Sequence, residues 1–215
     1  AISLFLVVEK NIYYMFALPI LLGVVMLYFL SYDKVLFLIA FLTPLSINLE
    51  GLDIGLSLSI PVEPLLLGVL FFFIAKLLYE KKFDNKIARH PISIVIYLML
   101  IWILITTITS ELPLVSAKYM LSRIWFVIPA YFVCAKLFKD PENINKFVWL
   151  YIAGLIIVII YTTINHAING FSGNSAHWVM TPFYNDHTAY GAALAIYLVF
   201  GAAFIFMPNI KTSRK

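Results

Sequence analysis

The run ISIVIYLMLIWILITTIT, residues 92–109, carries no charged side chain over its 18 positions. As a helix it would extend about 27 Å, close to the ~30 Å hydrocarbon layer of a bilayer. Lys86 and Arg89 stand before it and Lys118 after it, so the run has the length and the flanks of a membrane span. Working outward, apolar runs bounded by charge recur near 12–30, 35–48, 61–79, 123–138, 147–165 and 188–207, and residues 1–8 read as the end of one more. The expectation is an all-α, polytopic helical bundle with about seven to eight transmembrane helices, in one domain over 1–215. The second run is short and contains Pro44, a residue placed to break it. Pro19, Pro64 and Pro129 lie within or near the starts of other runs, where membrane helices tolerate them.

Composition agrees. The chain has 215 residues, 63% hydrophobic and 12% charged. A soluble domain carries about a quarter charged residues, so a soluble enzyme is excluded. The runs are continuously apolar rather than alternating, which argues against a transmembrane barrel. Cys134 is the single cysteine and reads as a small packing residue, with no intrachain disulfide available to it. The chain begins at Ala1 within an apolar run and ends at NIKTSRK just after another, which leads us to expect the N-terminal portion of a longer protein.

The net charge of +4 points to topology, not to nucleic acid. If the runs alternate across the bilayer, twelve of the fifteen Lys and Arg residues fall on one face: Lys34, Lys76, Lys81, Lys82, Lys86, Arg89, Lys136, Lys139, Lys146, Lys211, Arg214 and Lys215. Only Lys10, Lys118 and Arg123 fall on the other. Basic short loops stay cytoplasmic, so the loops 49–60, 110–122 and 166–187 are expected to face outward. The first of these alternates apolar and polar residues and suits either an interfacial segment or a short extended stretch capping the bundle.

Two outward features carry candidate chemistry. Arg123 opens the 123–138 run, with Tyr119 one turn before it and Lys118 nearby. A guanidinium at membrane depth is costly and turns either to a polar cavity, where its planar fork suits a phosphate, or to the headgroups by snorkelling. Tyr119 is placed to brace it or stack on it. The other feature is TPFYNDHTAYGAALA, residues 181–195. Asn185 or Asp186 is suited to cap the helix that follows. His187 and Tyr190 share a helix face beside them, and a cavity lined by Asp186, His187 and Tyr190 would hold sugar hydroxyls or a diphosphate, or relay a proton. Gly191 and Ala195 form a small-xxx-small pair that predicts close packing against another helix. His166, His177 and His187 are eleven and ten residues apart, without the short spacing of a metal-ligand pair, so no metal and no cofactor is expected.

Together, Ser116, Arg123, Pro129 and Tyr131 in the first feature and Pro182, Phe183, Asp186, His187, Gly191 and Leu194 in the second resemble the O-antigen ligase/polymerase superfamily of bacterial inner-membrane proteins. Thr188 stands where that family usually has Asn. The resemblance implies part of a larger membrane glycosyltransferase fold, acting without metal at the periplasmic face of the inner membrane. The donor would be a glycan on undecaprenyl diphosphate. The acceptor would be lipid A-core for a ligase, or the growing glycan for an O-antigen or capsule polymerase. Arg123 and Lys118 would bind the diphosphate; Asp186, His187, Tyr190 and Tyr119 would bind or support substrate. The family's catalytic His is expected downstream of this chain. Transport of a small anion or glycan lipid, and a noncatalytic scaffold, are the competing classes.

Overall fold

The computed structural model describes residues 32–49, 58–80 and 83–206. The runs near 1–8 and 12–30, residues 50–57 and the basic residues Lys10, Lys81, Lys82, Lys211, Arg214 and Lys215 lie outside the described residues. Helix α1 (Tyr32–Leu42) passes into a 3-10 turn at Thr43–Leu45 and then into strand β1 (Ile47–Leu49). Pro44, fully buried, supplies the break, since it cannot donate an amide hydrogen to continue the α-helix. Strand β1 pairs antiparallel with β2 (Leu58–Ile60), Ile47 opposite Ile60 and Leu49 opposite Leu58, so residues at both ends of the expected 49–60 loop are extended and paired.

The remaining elements are helical: α2 (Val62–Glu80), α3 (Asn85–Ala88), α4 (Pro91–Ile108), α5 (Pro113–Val127), a π-helical stretch (Ile128–Val133), α6 (Cys134–Leu137), α7 (Pro141–Ile168), a 3-10 turn (Ser175–His177) and α8 (His187–Phe206). Among the described residues, four helices are long and apolar enough to cross a membrane: Val62–Glu80, Pro91–Ile108, Pro113–Leu137 and Pro141–Ile168. Shorter apolar helices cover Lys34–Leu45 and His187–Ala203. Only 11% of the α4 window is buried, so Ile94, Val95, Leu98 and Ile101 turn outward, as side chains against lipid do.

Prolines start three of these helices. Pro91, Pro113 and Pro141 occupy the first turn, where the missing amide is no loss and the fixed φ suits the helix. Asp140 caps α7 by accepting from the Glu142 amide at 3.1 Å. Pro113 corrects one boundary. The outward loop expected at 110–122 is helical from 113 onward, and Arg123 does not open the span but lies within it, about 15 Å along the axis from Pro113. Pro129 explains the π stretch that follows: its ring and missing donor disturb the α ladder, and the wider turn absorbs the defect. Tyr131 on that stretch accepts a hydrogen bond from Ser93 of α4 at 3.2 Å.

Helix α1 packs chiefly on α7 and also against α2; α5 lies beside α4 and α2. The core joins Val35, Leu36 and Ile39 of α1 to Leu65, Leu66 and Val69 of α2 and to Val133, Cys134 and Leu137. Cys134 is buried there as a packing residue. At one end of the bundle Lys139 pairs with Asp84, which ties the basic 83–90 and 136–146 connections together and holds the Asp84 carboxyl below its ordinary range. Helices α2 and α8 begin at the opposite end, and α7 runs toward it.

Candidate functional site

The chain that leaves α7 does not wave free. Gly170 and Phe171 take left-handed backbone conformations, φ +66° and +51°, and turn it back on itself. Asn165 then donates to the Val179 carbonyl at 3.1 Å and Tyr161 to the Thr181 carbonyl at 3.0 Å. Val179 and Met180 are buried beneath these bonds. The 169–186 connection is thus laid over the end of α7, and it delivers Phe183, Tyr184, Asn185 and Asp186 beside the base of the hairpin.

There they line a cavity of about 400 Å³, within the range of small-molecule sites. Its other walls come from the 3-10 turn and the residue that follows it (Thr43, Ser46), from β2 and the first turns of α2 (Ser59, Glu63), and from Phe126 of α5. Half-buried Tyr184 has its phenol pushed up, first by burial and then by the neighbouring Tyr151.

Asp186 is the helix cap. Its Oδ1 accepts from the Ala189 amide at 2.7 Å and from the Thr188 hydroxyl, and these bonds hold the carboxyl below its ordinary range. Thr188 at the position where the resembled family has Asn therefore braces the cap. A depressed folded pKa stabilises above the unfolded value and loses that contribution as pH falls through the folded one. Asp186→Ala is expected to lower the melting temperature by a few degrees at neutral pH, whereas Asp186→Asn keeps the cap and most of the stability. The gap between wild type and Asp186→Ala should close as the buffer drops below pH ~4 in a melting series. A gap independent of pH would refute the carboxylate's part in it.

The other expected residues divide into two groups, neither of which lines the cavity. His187 faces His177, with their Nδ1 atoms 3.4 Å apart and their rings edge to face. Tyr190 turns to Tyr184, ring centroids 5.3 Å apart. On α5, Arg123 Nε donates to the Tyr119 hydroxyl at 3.0 Å, and the guanidinium carbon lies 5.1 Å from the Tyr119 ring centroid. Both the brace and the stacking expected of Tyr119 are present. Arg123 is exposed and Lys118 half-buried. Arg123 stands one turn from Phe126, so it borders the cavity's aromatic wall without entering it.

Gly191 corrects the packing expectation. A Cβ built there meets no described residue within 4 Å, and both Gly191 and Ala195 are exposed. Helix α8 meets α7 through Tyr197 instead, stacked on Tyr151 with ring centroids 3.8 Å apart. Among the described residues no three His, Cys, Asp or Glu side chains converge as metal ligands.

No family model, curated protein or solved structure matches this chain. The site must therefore be read from its own groups. Glu63 is the residue that sequence reasoning missed, and the signal was available: it is the lone acid inside the 61–79 apolar run, and an ionisable side chain in a span is a functional candidate by default. Ser46 and Phe126 carried no comparable signal.

Proposed function

We propose that this chain is an O-antigen ligase-like membrane glycosyltransferase, moving a glycan from undecaprenyl diphosphate to the hydroxyl of lipid A-core. The observation that carries the reading is the cavity, which joins Asn185 and Asp186 of the PFYNDH stretch to a wall of α5, the helix that bears Arg123. A lipid-borne sugar needs a polar recess reachable from the bilayer, beside a cation for its diphosphate. Helices long enough to span and a recess at their ends support the first requirement; the guanidinium oriented by Tyr119 supports the second.

In the reaction, the acceptor oxygen attacks the anomeric carbon while the bond from that carbon to the diphosphate oxygen breaks. The acceptor proton passes to a base, and negative charge grows on the departing lipid diphosphate. Positive donors already in place where charge develops are the largest single aid to such a step. Arg123 supplies them, with Lys118 on the same helix as a second cation. His187, Tyr190 and Asp186 support the glycan side. The basic connections brought together by Lys139 and Asp84 would lie in the cytoplasm, and the cavity would open to the periplasm of the bacterial inner membrane.

The test is direct. The complete protein, and not residues 1–215 alone, is reconstituted in phospholipid vesicles and incubated with an undecaprenyl-diphosphate-linked glycan and with lipid A-core or free glycan as acceptor. Product on lipid A-core is the expected result; product on the glycan alone makes the protein a polymerase. Binding of the donor with no product on either acceptor would overturn the transferase reading and favour transport.

A further inference from the structure

The cavity is asymmetric in charge. Glu63 and Asp186 both line it, and among the described residues no Lys, Arg or His does. The ion pairs formed by the described residues, Lys76 with Glu80 and Lys139 with Asp84, involve neither carboxylate. Asp186 has local work as a helix cap, and Glu63 in the first turn of α2 gains from the helix dipole, so two acids alone would say little.

Ser46 says more. Its residue exposure is 8%, its hydroxyl oxygen is buried, and that oxygen has no hydrogen-bond partner among the described residues. A buried hydroxyl without a partner is costly, and Ser46 lines this same cavity. A ligand that brings hydrogen-bonding groups to Ser46 would remove that cost. Thr43 spends its proton on the Ile39 carbonyl at 2.7 Å, which leaves its oxygen toward a ligand as an acceptor. Phe126 and Phe183 add apolar rings to the same walls.

Carboxylates and hydroxyl oxygens that accept, set among aromatic rings, match a pyranose. Its hydroxyls donate to the acids, and its C–H faces lie against the rings. They match an anion badly, because a third negative charge would meet two others without a counterion among the described wall residues. We infer that the cavity takes a non-acidic sugar residue, neutral or amino-bearing, and that Glu63 and Asp186 set this preference by excluding uronic acids. The diphosphate is kept outside the cavity, on the Arg123 side of Phe126. The inference rests on the reading of the substrate as a glycan and names the sugar class that the site selects.

Binding of methyl glucoside, methyl 2-amino-2-deoxyglucoside and methyl glucuronide to the full chain in phosphatidylcholine nanodiscs, followed by saturation-transfer NMR, tests it without any lipid-linked donor. The neutral and amino glycosides are expected to bind, and the glucuronide about tenfold more weakly or worse. Glu63→Gln combined with Asp186→Asn should close that gap; Asn retains the helix cap, and Glu63→Gln alone serves if the pair melts early. Equal binding of the glucuronide, a gap unchanged by the substitutions, or no binding of any glycoside would overturn the inference. Its failure is separable from that of the transferase reading. A chain that discriminates among the glycosides but forms no transfer product sinks the reaction and keeps the selectivity. One that transfers acidic and neutral glycans equally well does the reverse.

Discussion

An Arg123→Ala chain is expected to lose transfer by about 100-fold or more while still inserting and folding, because removing one preformed donor to developing negative charge costs 10²–10³ in comparable sites. The geometry makes the prediction specific. Tyr119 takes the Nε hydrogen at 3.0 Å and lies beside the guanidinium, so the arginine is oriented rather than loose. On the transferase reading, the two terminal nitrogens are the fork left for a diphosphate oxygen pair. Arg123→Lys keeps the charge but loses both the fork and the bond to Tyr119, and should recover only part of the rate. Tyr119→Phe keeps the ring and removes the acceptor, so a loss of a few-fold is expected, smaller than for either change at Arg123. The loss should fall on kcat more than on KM, since the interaction grows as the leaving group departs. Transfer by the alanine variant at the wild-type rate would remove Arg123 from the chemistry and leave it as a headgroup anchor.

The largest effect on stability is expected at Gly154. A Cβ built there would lie 2.2 Å from the carbonyl oxygen of Phe41 and 2.8 Å from Pro44 Cγ. The first of these is backbone, so no side-chain rotation relieves the clash, and α7 must move away from α1 across the principal helix contact of the bundle. Overpacking of this kind costs about 1–3 kcal/mol and can exceed that. The better helix propensity of alanine returns at most ~1 kcal/mol. Gly154→Ala should therefore lower the melting temperature in detergent, and Gly154→Leu should prevent a folded bundle. The displaced segment, Phe41 to Pro44, leads directly into Ser46, so glycoside binding is expected to weaken in Gly154→Ala even below its melting point. A variant as stable as wild type would show that the helices part at no cost.

Much of the helical framework is legible in the sequence because the signal is crude and physical. An uncharged run of span length has one economical conformation in lipid, and Pro91 and Ile108 bound α4 within a residue of the run's own ends. The helix cap at Asp186 was equally readable, since a short acceptor before an apolar run has a local purpose. Boundaries set by proline were less well read. The 110–122 stretch is polar enough to pass for a loop, yet Pro113 fixes the first turn and Ser110 accepts from the Leu112 amide at 3.1 Å just before it. The hairpin was only half readable: Ile47 and Ile60 meet across it, and sequence alone does not supply a register.

Of the expected site residues only Asp186 lines the cavity, and the assembly around it was not legible. Asp186 and its neighbours were found because polar groups are conspicuous at the end of an apolar helix. Their partners Ser46 and Phe126 become significant only through contacts between segments far apart in the chain. Small residues mislead in both directions here. Gly191 looked like a contact and faces outward, whereas Gly154 passed unnoticed in its apolar run and sits where α7 closely approaches the Phe41–Pro44 backbone.

The cavity also has a history in time. Its walls are drawn from Thr43 at one extreme and Ala189 at the other, with Glu63 and Phe126 between. During synthesis the chain emerges from its N-terminal side, and α1, the hairpin and α2 can associate before α8 exists. Until the PFYNDH stretch arrives, the Ser46 hydroxyl and the Glu63 carboxylate belong to an open recess. The recess gains its last wall only with the start of α8, so on the glycan reading a nascent bundle has no complete site before its last described helix begins.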